Sequence, residues 1–177
     1  MHLQLIDSTF FTGMDIFNGI FNRNDITRTY VIDVINHGSK RCTLALTAAE
    51  TGHLVMATLH ATSAPLAVSR IVDVFPDAEK NRVRDLLAET IQGICCQALV
   101  KKMNGGRIAA FEIMLATRAI RHQIRQDKIS HMAMTMQTNG DIGMCTLEQN
   151  LEELLARRLI SQNVARNIAL NRGSNRF

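Results

Sequence analysis

Two histidines bracket a short apolar run. His53 and His60 stand at the ends of Leu54–Leu59, with Thr58 just before the second of them. An imidazole titrates near neutral pH and can donate to a phosphate oxygen. The same side chains can also simply cap and pack the ends of a buried strand. A metal pair is the third reading, but a seven-residue gap with no third ligand nearby is not a zinc spacing. Glu112 falls inside an apolar stretch, Arg107–Leu115, where a buried acid needs a partner such as an arginine. Further on, Ile120 and Ile124 share one face of a predicted helix, flanked by Arg118, Arg121 and Arg125. Taken alone, that pattern describes an ordinary amphipathic surface helix.

Hydrolysis of a nucleoside triphosphate needs more than imidazoles. It needs a cradle of backbone amides and a lysine on the phosphates. It also needs a cation held by a hydroxyl and an acid, and a carboxylate that orients water. The cradle is written G-x-x-x-x-G-K-[ST]. No such string occurs in the chain: Gly105-Gly106 lacks the following lysine, and Gly38-Ser39-Lys40 lacks the upstream glycine.

The elements that must position these groups follow from periodicity and punctuation. Residues 30–35 are rich in β-branched side chains and predict a strand. Leu44–Ala49 predicts a helix, ended by Gly52. His53–Leu59 suits a buried strand. Ser63 with Pro65 starts a helix carrying Leu66, Arg70, Ile71 and Val74. Pro76-Asp77 starts another, whose apolar stripe runs Val83, Leu86, Leu87, Ile91 and Ile94. Cys95–Val100 and Arg107–Leu115 predict a strand pair joined at Asn104-Gly105-Gly106. Thr117 caps a short helix. Met132, Met134, Met136 and Met144 are taken as adaptable core. Thr146 with Gln149 forms a capping box ahead of Leu147, Leu151, Leu154, Leu155 and Leu159. Ser161 caps a last helix bearing Val164 and Ile168.

Composition excludes several classes. The chain has 177 residues with 46% hydrophobic and 20% charged side chains, against disorder, collagen and a disulfide miniprotein. Its cysteines, Cys42, Cys95, Cys96 and Cys145, contain no C-x-x-C, so zinc ribbons and thioredoxin-type motifs have no support. Thr51–Ser69 lacks acids, lysines and arginines, but its His, Pro, Ser and Thr content makes it a poor membrane span. The formal charge of +4 is uneven, with basic stretches at 101–128 and 157–177. Aromatic residues are scarce there, so a solvated basic face is expected and no nucleic acid. A cytoplasmic protein with reduced thiols is the expectation.

The stretch Ala48-Ala-Glu-Thr-Gly-His-Leu-Val-Met-Ala-Thr-Leu-His-Ala-Thr-Ser-Ala64 resembles the histidine box of the PilT family of type IV pilus retraction ATPases, within the secretion-ATPase superfamily. The likeness continues through Arg70–Pro76, Gly106–Met114 and Gly143–Asn150, and spans roughly Thr43 to Leu170. The resemblance implies an α/β fold: a partial RecA-like sheet, then a mostly helical C-terminal bundle. It implies residues 42–177 as the C-terminal part of a motor ATPase domain, with residues 1–41 an unassigned segment holding the strand at 30–35. Family members are hexameric motors that use ATP and Mg²⁺ to disassemble pili through an inner-membrane platform protein, at which they are peripheral.

For this chain the resemblance implies a nucleotide-facing His53, Thr58 and His60. Ala119–Arg125 resembles a retraction motif of the family, which implies a partner or motor-coupling role for Ile120, Arg121, Ile124 and Arg125. His122 and Gln123 depart from that motif. The family's acidic segment should precede Leu44, but Val34, Ile35, His37 and Gly38 occupy its positions. Asp33 offers a carboxylate, offset from the expected place. No catalytic residue and no metal site is therefore expected, and the chain alone is expected to be inactive. The alternative is a non-catalytic module that docks on an intact motor or its platform protein. A sheet lacking its upstream strands is also expected to leave an open edge.

Overall fold

The computed structural model describes residues 2–6, 29–33 and 38–171. A five-stranded mixed sheet forms its centre: β1 (His2–Ile6), β2 (Thr29–Asp33), β3 (Leu54–Thr58), β4 (Ile91–Lys101) and β5 (Arg107–Leu115). The order is β2-β3-β1-β4-β5. The first four strands run parallel, and β5 returns antiparallel to β4. The N-terminal segment thus supplies two strands, and β1 lies in the sheet interior.

Seven α-helices are described: α1 (Gly38–Glu50), α2 (Ala64–Asp73), α3 (Asp77–Thr90), α4 (Arg118–Arg125), α5 (Ile129–Thr138), α6 (Leu147–Ala156) and α7 (Gln162–Asn171). In α1 the buried positions are Cys42, Ala45, Leu46 and Ala49, a stripe at offsets 0, 3, 4 and 7. Gly52 stops this helix at φ +92°, where a side chain would be strained. The next two amides then fold back: Gly52 N–H donates to Ala49 O and His53 N–H to Ala48 O. That reversal aims the chain into β3. Val55 and Ala57 of β3 are buried, as an inner parallel strand requires.

The stripe predicted from Val83 to Ile94 divides at residue 90. Val83 and Leu87 belong to α3, whereas Ile91 and Ile94 are buried residues of β4. The β4–β5 pairing runs from Gly93↔Leu115 to Lys101↔Arg107, closed by Gly105 and Gly106 at φ +84° and +73°. The edge of β5 is partly covered. Ile113 and Cys145 exchange backbone hydrogen bonds, and Phe111 N–H donates to Asn150 Oδ1. These contacts satisfy amides that would otherwise invite a further strand.

Apolar side chains form two clusters. The larger joins α1–α5 to β3 and β4 and includes Met114, Ile120, Ile124, Met132, Met136 and Met144. The smaller sits beneath the β4–β5 hairpin, where Val100 and Ala110 meet Leu147, Leu151, Leu154 and Ile160. Met134, expected in the core, is 71% exposed because it points off the α5 face that carries Met132 and Met136. The capping box at α6 is complete: Thr146 Oγ1 accepts from Gln149 N–H, and Gln149 Oε1 accepts from Thr146 N–H. None of the four cysteines is in a disulfide, and burial raises the pKa of Cys42.

Candidate functional site at the carboxyl edge of the sheet

In open parallel sheets, ligands bind beyond the carboxyl ends of the strands. Backbone register puts Ile6, Asp33 and Thr58 abreast at that edge of β1, β2 and β3. Cys95 of β4 is level with Ile6. Leu59 and an exposed His60 follow directly. His53 precedes β3 and so lies at the opposite edge. At about 3.3 Å of rise per residue, the two histidines are on the order of 20 Å apart. The sheet therefore brings Thr58, His60 and Asp33 to one edge and separates His53 from them. The His53 imidazole is held locally, with Nδ1 3.2 Å from Ala48 O and 3.0 Å from Thr51 Oγ1. These contacts tie it to the end of α1.

The turn after β3 is fixed by side chains from three places. Arg70 Nη1 of α2 donates to the His60 carbonyl oxygen. Ser63 is the N-cap of α2, and its hydroxyl accepts from Leu66 N–H at 3.3 Å. Buried Glu112 of β5 accepts from Ala64 N–H at 2.6 Å. A carboxylate at a helix N-terminus gains from the dipole as well as from the short charged hydrogen bond. Glu112 thus serves a backbone amide 48 positions away along the chain.

These contacts decide what the turn can bind. A phosphate at a helix N-terminus needs unsatisfied amides. The first turn of α2 has none to offer: Ala64 N–H serves Glu112, Pro65 has no N–H, Leu66 N–H serves Ser63, and Ala67 N–H donates to Ser63 O. Lysine is also missing upstream, since Lys40 is the first in the chain. No lysine therefore lies between β1 and β2. Among the described residues, the first turn of α2 does not fit a triphosphate with its cation. Among the described residues, no three His, Cys, Asp or Glu side chains converge as a metal site.

We expect Glu112→Ala to lower stability by about 2–4 kcal/mol, through a buried amide left without its acceptor and the cavity beside it. Glu112→Gln keeps an acceptor oxygen and should cost about half as much. Urea unfolding followed by circular dichroism measures both. Equal midpoints for Glu112→Ala and the unchanged protein would contradict the capping role.

The α4 helix is a part of the core rather than a free strip. Ile120 and Ile124 are fully buried. Arg121 Nε donates to Ala116 O, and its Nη1 donates to Ala88 O and Glu89 O. It thereby satisfies carbonyls in the last turn of α3. Burial, with a smaller contribution from neighbouring Arg125, lowers the pKa of Arg121. Gln123 Nε2 donates to Thr135 Oγ1, linking α4 to α5. What α4 presents outward is Arg118, His122 and Arg125. Arg125 lies 3.9 Å from Glu89. Reasoning on sequence alone missed β1, the Arg70 contact and the Glu112–Ala64 hydrogen bond. For Glu112 a signal existed: a lone acid within an apolar strand pattern.

A family model described as Type II/IV secretion system protein matches residues 37–166. The chain belongs to that family. Within the Type II/IV secretion system proteins, the chain is 54% identical over 123 residues to the type IV pilus retraction ATPase PilT of Pseudomonas aeruginosa. That match takes in 70% of this chain and 36% of PilT. It is 47% identical over 135 residues to a twitching motility protein of Neisseria gonorrhoeae, covering 76% of this chain and 36% of the other. The chain thus spans about a third of the length of these relatives. The crystal structure of the pilus retraction motor PilT with bound ADP superposes with a TM-score of 0.71 at 29% identity. It covers 94% of this chain and 52% of that one. The fold is accordingly PilT-like, a mixed sheet followed by helices. Among the described residues, no helix is long and apolar enough to cross a membrane.

Proposed function

We propose that this chain carries the histidine-box portion of a pilus-retraction-type motor and acts within an oligomer instead of as a self-sufficient hydrolase. The observation that carries the reading is the 54% identity to the PilT retraction ATPase. In this reading residues 42–177 are the C-terminal part of a RecA-like motor domain. Thr58 and His60 lie where a nucleotide would meet the carboxyl edge of the sheet. His53 has a structural part at the far edge, closing α1 onto β3. ATP and Mg²⁺ are the cofactors of the intact motor, held by groups this chain does not supply. Its partners are other copies or a full-length motor, together with the inner-membrane platform protein of the pilus, at the cytoplasmic face.

A second reading, a non-catalytic module that docks on an intact motor, gains support from β1 and β2. With these strands the chain builds a five-stranded sheet from its own residues. Light scattering after gel filtration separates the two readings. Self-assembly into a ring supports the first, and a monomer that comigrates with an added PilT-type motor supports the second. A monomer that ignores the motor contradicts both. Calorimetric titration with ADP, with and without that motor, tests the cofactor assignment. The expected result is no binding to the chain alone. Tight one-to-one binding by the chain alone would overturn it.

A further inference from the structure

The β4–β5 hairpin ends in a concentration of positive charge that the retraction reading does not use. Residues 91–111 contain Lys101, Lys102 and Arg107 and no acid. Lys101 is directly opposite Arg107 in the antiparallel register, and residues so paired share one face of the ribbon. Like charges in that arrangement are destabilising unless something neutralises them. Among the described residues, neither cation forms an ion pair. Both line an open depression of about 530 Å³ with Leu99 and Gly106. At φ +73° with no atom within 4 Å of a Cβ position, Gly106 leaves this mouth unobstructed.

Two more features extend the patch. Met103 at the apex is 60% exposed and Leu99 is 41% exposed, so apolar side chains project among the cations. Met103 N–H donates to Leu159 O at 3.0 Å, which brings the turn between α6 and α7 alongside. That turn adds an exposed Arg158, while Arg157 is paired with Glu153. The opposite face of the hairpin is occupied by core: Val100 and Ala110 are buried against α6 and α7. Only the charged face is free to meet a partner.

The geometry points to an anionic phospholipid surface as the ligand of this hairpin. Lys101, Lys102, Arg107 and Arg158 would sit at the headgroup phosphates, with Met103 and Leu99 dipping into the interface. An acidic protein surface would satisfy the charges but gives no reason for an exposed methionine at the apex. Basic residues near an anionic leaflet act additively, and apolar side chains supply the part of the attraction that salt does not screen.

Flotation of the full chain with vesicles tests this. Vesicles of phosphatidylcholine containing about one-third phosphatidylglycerol should carry the protein, and pure phosphatidylcholine should not. Lys101→Ala/Arg107→Ala should weaken partition about tenfold or more. Met103→Ser, which leaves the net charge unchanged, should weaken it several-fold. Lys40→Ala/Lys128→Ala removes the same charge from distant exposed sites and should leave partition within about twofold. Circular dichroism confirms that each variant is folded. The proposal is overturned if the chain shows no preference for anionic vesicles, or if both hairpin variants float like the unchanged protein. It is overturned equally if the distant control loses as much binding. Calorimetry with inorganic tripolyphosphate separates the sources of phosphate: saturable binding of it without flotation would assign the patch to a soluble anion and reject the membrane.

Discussion

Ile120→Asp should leave the chain unfolded. Ile120 is fully buried among α3, α4 and α5, in the cluster that holds Ile124, Met132 and Met136. Truncating such a side chain costs about 2–5 kcal/mol in lost burial and cavity. Placing a carboxylate in this apolar cluster adds several kcal/mol of desolvation. The sum is comparable to the whole stability of a domain this size, about 5–15 kcal/mol. Ile120→Val at the same site should cost only about 1 kcal/mol. Urea titration followed by circular dichroism reads both. A folded Ile120→Asp with an unchanged midpoint would put this side chain on an open docking face and contradict its place in the core. The consequence for function is practical: a coupling role of α4 has to be probed at Arg118 and His122, which are exposed, and not at the isoleucines.

Much of the fold was legible because local signals agreed with tertiary demands. Arg107–Leu115 was bounded by the glycine turn on one side and Thr117 on the other, and β5 has those limits. The Thr146–Gln149 box and the Ser63 cap rest on hydrogen bonds within four residues, so short-range chemistry reveals them. The stripe across residue 90 misled because β4 is buried on both faces near its start. A doubly buried strand and a buried helix segment present the same unbroken apolar run. His2–Ile6 gave no clear signal, since a five-residue segment with polar positions gains its strand character only from β3 and β4 on either side.

The site was legible in part. The strand between His53 and His60 was read from its apolar run, and β3 (Leu54–Thr58) puts the two residues at its opposite ends; that Asp33 and Ile6 stand level with Thr58 follows only from the register. The Glu112–Ala64 hydrogen bond spans two elements 48 residues apart, and no local pattern encodes it. That contact is also what closes the first turn of α2 to a phosphate. The absence of the cradle motif was read from the string alone, whereas the satisfied amides at the start of α2 follow only from the structure.

The largest effect expected concerns turnover. Removing a single electrostatic stabiliser from such a site costs about 10²–10³ in rate. The sequence holds no G-x-x-x-x-G-K-[ST] string, and Val34, Ile35, His37 and Gly38 stand where the family resemblance would put its acidic segment, while Thr58 and His60 follow one another at the carboxyl edge of β3. The decisive measurement is phosphate release from Mg²⁺-ATP by the purified chain, read with malachite green beside the His60→Ala variant. The account predicts release no faster than a protein-free blank for both proteins. Sustained release that scales with the concentration of the chain and drops in His60→Ala would contradict it.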